Sequence, residues 1–319
     1  MLQDICEILP NEVSVNMKGK VFWFHGEPGT WKTTVASKFP RALIVGFEIG
    51  YQFINGVRAV PITSWSDAKD LFRQLKTPKA RETYDTIVFD TISGGATMCY
   101  KYALGQLGIT DPQDAAWGKG WRAIKDEWRI IQDIVKLGYC VVFISHSKET
   151  EIVDDKTKQS TLKVKTDLDS WCSGDIWGLS DFVFYVRKEL QEDGRELVYA
   201  YSDLPNIDTK RRHPAFPSRI YFSYDEIVNG LNNVVEYEKS LGNNVSDANV
   251  RVVEEKPWTE YRDEVIELIT ALGGTVLAGE MEKYIVETFP DVRISQTTEF
   301  HKDKLIAARD HLLELKLKL

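Results

Sequence analysis

The sequence predicts an α/β protein with a mostly parallel central sheet flanked by helices, followed by a small helical module. Three observations carry this. Continuous apolar runs recur at residues 21–24, 42–47, 86–89 and 140–144, and runs without polar alternation belong to strands covered on both faces of a parallel sheet. Between them lie stretches whose apolar residues recur three and four apart, the spacing of one helix face. After residue 235 the composition turns to Gly, Asn and Ser, and then to three helix-periodic stretches.

The elements follow in order. Residues 1–18 read as a lead-in, and the first apolar run leads directly into Gly26, Glu27, Pro28, Gly29, Thr30, Trp31, Lys32, Thr33 and Thr34. Strand, Gly-rich loop and Lys-Thr in that order suit a triphosphate. Successive backbone N–H groups curl around phosphate oxygens, and the helix that follows adds its positive end. Lys32 is expected on the β- and γ-phosphates and Thr33 on Mg²⁺, while Thr34 continues the first helical turn. Trp31 stands where the pattern has Gly. If that position needs a positive φ, the Cβ costs about 1–2 kcal/mol and the indole must point outward. The helix is expected over 33–38, ended by Phe39 and Pro40.

The second run ends at Glu48, a carboxylate at the end of a buried strand, where ligands bind in open α/β sheets. Residues 59–62, interrupted by Pro61, suit an edge strand, and Ser64 caps a helix carrying Ala68, Leu71, Phe72 and Leu75. The third run ends in Asp90, the Walker B pattern, in which the acid holds Mg²⁺ directly or through water. Residues 93–107 are expected to be partly helical and 108–112 a loop. Trp121, Ile124, Trp128, Ile131 and Val135 mark an amphipathic helix closed by Gly138. The fourth run leads into Ser145, His146 and Ser147, so His146 should share an edge with Glu48 and Asp90.

Residues 148–171 are polar and charged, with Lys148, Lys156, Lys158, Lys163 and Lys165 spaced by Asp, Thr and Ser. They form either a solvated hairpin or loop, or one that tracks phosphates. Two late strands, 180–186 and 196–201, are joined by a charged turn at 192–194. Lys210, Arg211 and Arg212 follow, a solvated basic turn or a functional one. The expected division is a nucleotide domain over 1–235, a linker over 236–256 and a helical or winged-helix-like module over 257–319, with helices at 258–272, 280–288 and 300–319.

A chain of 319 residues with 43% apolar content supports a sizeable core. A net charge of −8 argues against a protein that coats nucleic acid over its whole surface. It leaves room for a local basic channel. No apolar run approaches the ~18 residues of a membrane span, and the amino-terminal residues lack the order of a signal peptide. Cys6, Cys99, Cys140 and Cys172 form no CxxC pair, so neither zinc nor a disulfide framework is indicated and a cytoplasmic setting is expected.

Taken together, the loop 26–34, Glu48, Asp90 and His146 resemble the RecA-type ATPase core. Over residues 18–225 the sequence is similar to the minimal RecA-core proteins of phages, described as nucleotide-binding or single-strand annealing ATPases. The likeness includes Ser64-Trp65 before the second helix and Trp117-Gly118 before the long one. The resemblance implies ATP and Mg²⁺ as cofactors, Glu48 as activator of the attacking water, and His146 as sensor of the γ-phosphate. It further implies that residues 93–118 and 148–171 face single-stranded DNA. It also implies a homo-oligomer, ring or filament, in which a neighbouring subunit supplies a basic finger, for which Lys210, Arg211 and Arg212 are candidates. The expected function is ATP hydrolysis on single-stranded DNA in phage recombination or replication, in the host cytoplasm and with a possible protein partner. The alternative is a nucleotide-gated loader that hydrolyses poorly and recruits a partner through residues 250–319. A small-molecule kinase is disfavoured, since no Arg-rich lid or acceptor site is visible.

Overall fold

The computed structural model describes residues 10, 12–153, 160–246 and 257–318. The chain divides into two compact units, Met1–Val253 and Glu254–Leu319. The first contains, in order, β1 (Val21–Gly26), α1 (Lys32–Ala36), β2 (Ala42–Gly46), β3 (Arg58–Pro61), α2 (Trp65–Leu75), α3 (Pro78–Thr83), β4 (Thr86–Asp90), α4 (Ile92–Leu107) and α5 (Lys119–Lys136). These are followed by β5 (Cys140–Ser145), β6 (Ser147–Val153), β7 (Ser160–Thr166), α6 (Ser170–Leu179), β8 (Phe182–Leu190), β9 (Glu196–Tyr201), β10 (Lys210–Arg211), β11 (Arg219–Tyr221) and α7 (Tyr224–Ser240).

Among the described residues, nine strands form one sheet in the order β11-β9-β8-β1-β5-β4-β2-β3, with β10 paired to β8. The centre, from β8 through β1, β5, β4 and β2 to β3, is parallel. β9, β10 and β11 extend it antiparallel on the other side. Both faces of the centre are covered, which is why its strands read as unbroken apolar runs. One face carries Trp23, Val45, Phe89 and Phe143 under Phe72, Ile92 and Trp128. The other carries Phe22, Phe24, Val142 and Phe184 under Phe39, Phe216 and Ile227. Trp65 and Trp128 stack with centroids 6.2 Å apart, pinning α2 against α5.

Local chemistry sets the ends. Ser64 accepts from the Asp67 N–H at 3.2 Å, and Asp67 Oδ2 accepts from the Ser64 N–H at 2.9 Å, a reciprocal cap on α2. Gly138, at φ 83°, follows α5. Cys99, Cys140 and Cys172 are buried and unpaired; Cys6 lies outside the described residues.

Some expected bounds shift. Residues 93–107, expected to be partly helical, lie within α4, a helix of 16 residues capped by Thr91 and followed by Gly108. Its Ala103 and Leu104 pack with Ile124 of α5, so apolar burial overrides the Gly and Thr content. α7 runs through Ser240, past the expected domain end at 235, with Val234 buried on its inner face. Val245 then pairs with Val13, so part of the expected linker belongs to the first unit. Residues 247–256 lie outside the described residues. The second unit has α8 (Trp258–Leu272), α9 (Ala278–Thr288) and α10 (Lys302–Lys316) around Val265, Leu272, Met281, Leu305 and Leu312. Among its described residues there is no strand.

Phe143, fully buried in the central β5, is expected to contribute most when truncated. Phe143→Ala should destabilise the first unit by about 3–5 kcal/mol, while Trp117→Ala, at a residue 94% exposed, should stay within about 0.5 kcal/mol. Thermal denaturation of both variants checks this contrast.

Candidate nucleotide site

The site lies at the carboxyl ends of β1, β2, β4 and β5. The sheet inserts β5 between β1 and β4, and register aligns Gly46 with Asp90 and Asp90 with Ile144. Residues just beyond those strand ends therefore share one edge. That edge borders a cavity of about 470 Å³ lined by Pro28, Trp31, Lys32, Thr33, Glu48, Phe53, Asp90 and His146, among others.

The loop after β1 is shaped by two backbone requirements. Gly26 has φ 156°, and a Cβ there would sit 2.0 Å from the carbonyl oxygen of Val186 on β8, so only glycine fits. Trp31 has φ 63° and ψ 17°, the left-handed conformation that the missing glycine would supply. Its indole is 59% exposed, outward as the sequence requires.

Lys32 is 6% exposed. Its ammonium donates to the carbonyl oxygens of Gly26 at 2.9 Å and Glu27 at 2.8 Å, and to Thr30 Oγ1 at 3.2 Å. Burial lowers its pKa to about 8, against the opposing pull of Asp90, Asp167, Glu27 and Glu48. The charge thus lies in a desolvated pocket with no contacting acid among the described residues, a setting an anion would relieve.

Thr33 Oγ1 donates to Asp90 Oδ2 at 2.7 Å. Burial pushes the Asp90 carboxyl up from its ordinary value, despite that hydrogen bond. One hydroxyl and one carboxylate side by side suit Mg²⁺, which takes few protein oxygens and fills its remaining positions with phosphate and water. No cluster of three or more His, Cys, Asp or Glu that could hold a metal by itself occurs among the described residues.

Opposite stands Glu48, whose Oε1 accepts from Thr91 Oγ1 at 2.7 Å and whose Oε2 lies 3.6 Å from His146 Nε2. The N–H groups of Phe47 and Glu48 donate to the Asp90 carbonyl at 2.7 and 3.1 Å, fixing the turn that presents the carboxylate. All residues from 26 to 34, with Glu48, Asp90 and His146, therefore gather on one edge of the sheet.

Sequence reasoning missed Thr91, His25 and Asp167. His25, fully buried on β1, has Nδ1 2.8 Å from Ser147 Oγ and Nε2 2.5 Å from the Asp208 carbonyl. A carbonyl only accepts, so Nε2 carries the proton and Nδ1 accepts from Ser147. Burial lowers the His25 pKa to about 4, keeping it neutral. Its one signal was a polar residue inside an apolar run.

The basic segment forms the β6–β7 hairpin. Lys148 sits directly opposite Lys165, and Lys163, two residues along, shares their face. Lys163 is paired with Asp208 at 3.3 Å and Lys148 donates to the Asp167 carbonyl at 3.4 Å. Lys156 and Lys158 lie outside the described residues. The finger candidates do not reach the cavity. Lys210 donates to the Trp177 and Ser180 carbonyls, Arg211 pairs with Asp203 at 2.8 Å, and Arg212 pairs with Asp181 at 2.5 Å. Their own chain engages all three.

A phosphate-loop fold with a Walker-type Thr–Asp pair at the strand ends defines a P-loop NTPase. The comparisons agree: residues 18–213 match the family AAA_24, described as an AAA domain, and the chain belongs to that family. The chain is 29% identical over 202 residues to the SPbeta prophage-derived uncharacterized protein YorG of Bacillus subtilis (strain 168), covering 62% of this chain and 60% of that protein's length. Among solved structures it is similar to the flagellar accessory protein FlaH from Methanocaldococcus jannaschii, at 12% identity and a TM-score of 0.35 over 65% of this chain and 85% of the other. It is also similar to the KaiC-like protein PH0186 from Pyrococcus horikoshii OT3, at 12% identity and a TM-score of 0.32 over 58% and 79%. Likeness at these scores assigns no function. Among the described residues, no helix is long and apolar enough to cross a membrane.

Two outcomes follow for the loop. Bound phosphate favours charged Lys32 and raises its pKa above the free-loop value of about 8. Affinity for Mg·ADP should therefore be full below pH 8 and fall as pH rises past it, by at most about tenfold per unit, in calorimetric titrations at pH 7, 8 and 9. In the empty protein the same group works in the opposite sense. Its folded pKa lies below the unfolded value, so its destabilising effect fades between about 8 and 10.5. Second, Trp31 already has a glycine's backbone conformation. Trp31→Gly should raise stability by about 1 kcal/mol and leave Mg·ADP affinity within about threefold, measured by melting and titration.

Proposed function

We propose that this protein binds ATP with Mg²⁺ at this site, hydrolyses it, and acts on single-stranded DNA in phage recombination or replication. The observation that carries the reading is the pairing across one cavity of a phosphate loop holding a buried lysine with a carboxylate oriented by Thr91 and set 3.6 Å from His146.

Lys32 would exchange its carbonyl partners for β- and γ-phosphate oxygens. Thr33 and Asp90 would hold Mg²⁺, which when bound neutralises charge developing on the transferred group. Glu48 would orient the attacking water and take its proton, with Thr91 fixing the carboxylate. His146 would face the terminal phosphate. Positioning and fixed charge supply the catalysis, as phosphoryl transfer requires.

Support for a nucleic-acid role comes from the hairpin. Like charges directly opposite each other, as in Lys148 and Lys165, weaken a bare hairpin and suit one that meets a polyanion. The prophage origin of the relative fits the phage setting. Assembly into a homo-oligomer belongs to the same reading, with the basic finger unassigned. Trp31 is the feature the weak-hydrolysis alternative rests on, and its left-handed backbone, the conformation a glycine would take, supports the hydrolysing reading.

Glu48→Gln should keep Mg·ATP binding within about threefold and reduce turnover by about 10²–10⁴-fold, whereas Lys32→Ala should lose both. Steady-state hydrolysis and equilibrium titration separate the two. Normal turnover in Glu48→Gln would exclude Glu48 as the base. For the hairpin, Lys163→Glu with Lys165→Glu should weaken binding of an oligothymidylate and reduce its log–log salt slope by about 1–2, in titrations by fluorescence anisotropy; unchanged binding at low salt would remove the hairpin from the proposal.

A further inference from the structure

His146 follows the last residue of β5, one position past the pairing of Ser145 with His25 on β1. There the strand ladder no longer holds its main chain. The Ser145 hydroxyl donates to the His146 carbonyl at 3.2 Å, and Asp167, distant in sequence, binds both that carbonyl and the His146 N–H. Asp167 donates its N–H to the His146 carbonyl at 3.0 Å, and its Oδ1 accepts from the His146 N–H at 3.1 Å. The same Oδ1 accepts from Ser93 Oγ at 2.7 Å, in the first turn of α4 just after the Asp90–Thr91 segment.

The His146 ring has little else to orient it. Nε2 lies 3.6 Å from Glu48, and Nδ1 is buried with no hydrogen-bond partner among the described residues. The direction of the imidazole is therefore inherited from its main chain, and the main chain is held by Asp167. Asp167 is itself fixed by its neighbours Thr166 and Leu168, which are 5% and 3% exposed. It stands where the basic hairpin returns to the sheet, and no motif marks it in the sequence.

We propose that Asp167 is the positioning residue for His146, and that through it the site distinguishes a nucleoside triphosphate from a diphosphate. This rests on the reading that His146 faces the terminal phosphate, but it does not require hydrolysis. Asp167 touches no reacting atom. Its work is to hold the peptide on both sides of the sensor, and the hydrogen bonds rather than the negative charge carry it. Asparagine, whose Oδ1 also accepts, should substitute for it; alanine should not.

The test measures, on the full chain with Mg²⁺, the affinities for ADP and for the β,γ-imido analogue of ATP. Wild type should favour the analogue. Asp167→Ala should reduce that preference by about tenfold, to the ratio seen in His146→Ala, while ADP affinity stays within threefold. Asp167→Asn should retain most of the preference. Ser93→Ala, which removes a partner from the same carboxylate without touching His146, should produce a smaller loss in the same direction and serves if Asp167→Ala does not fold. A purely structural role would weaken both ligands alike and lower the melting temperature in step. That pattern, a wild-type ratio in Asp167→Ala, or no preference in wild type overturns the proposal. A retained pattern of preferences in a protein that never turns over ATP would remove the hydrolysis reading and leave this one standing.

Discussion

The site depends on an ammonium group held out of water. Lys32 is solvated by two main-chain carbonyls and a threonine hydroxyl, with acids nearby but, among the described residues, none in contact. A charge in such a place is tolerable only because the loop supplies oriented dipoles and the carboxylates around it supply a favourable field. Much of the fold serves that arrangement. β1 must end against β8 so closely that only Gly26 fits, and Trp31 must take a left-handed conformation so that the loop can close. In the proposed reading, an incoming polyphosphate would replace weak dipoles with full charges, and this difference would supply the loop's affinity.

The parallel sheet converts sequence order into proximity. Glu48, Asp90 and His146 are tens of residues apart, yet each follows a strand that ends on the same edge. Their chemistry is complementary there. The acid nearest the phosphate loop is buried and bonded to Thr33, while Glu48 is half-exposed and turned toward His146. Two carboxylates in one cavity thus stand in different surroundings. A net charge of −8 is no obstacle to an anionic ligand, since the loop's field is local.

Much of this was legible in the sequence. Strands covered on both faces produce unbroken apolar runs, and a polar residue closing such a run marks the functional edge. What escaped were features set by contacts between distant residues. α4 contains Gly94 and Gly95, poor helix formers, but a Cβ on Gly95 would lie 3.0 Å from the Phe47 ring, so glycine is what lets that helix approach. The sequence left Lys210, Arg211 and Arg212 as a solvated basic turn or a functional one, and could not show that the fold sets them against carbonyls, Asp203 and Asp181. His25 and Asp167 carry no spacing signal, because their partners Ser147, Asp208, Ser93 and His146 come from other elements. Pattern reveals which face is buried; it does not reveal which buried polar groups find each other.

The account stands most directly on where Lys32 points when a nucleotide is present. A crystal structure of the full chain with Mg²⁺ and a non-hydrolysable ATP analogue should show its ammonium withdrawn from the Gly26 and Glu27 carbonyls and set on β- and γ-phosphate oxygens, with the metal on Thr33 and Asp90. A nucleotide bound elsewhere, or a lysine still held by those carbonyls beside a bound triphosphate, would contradict it.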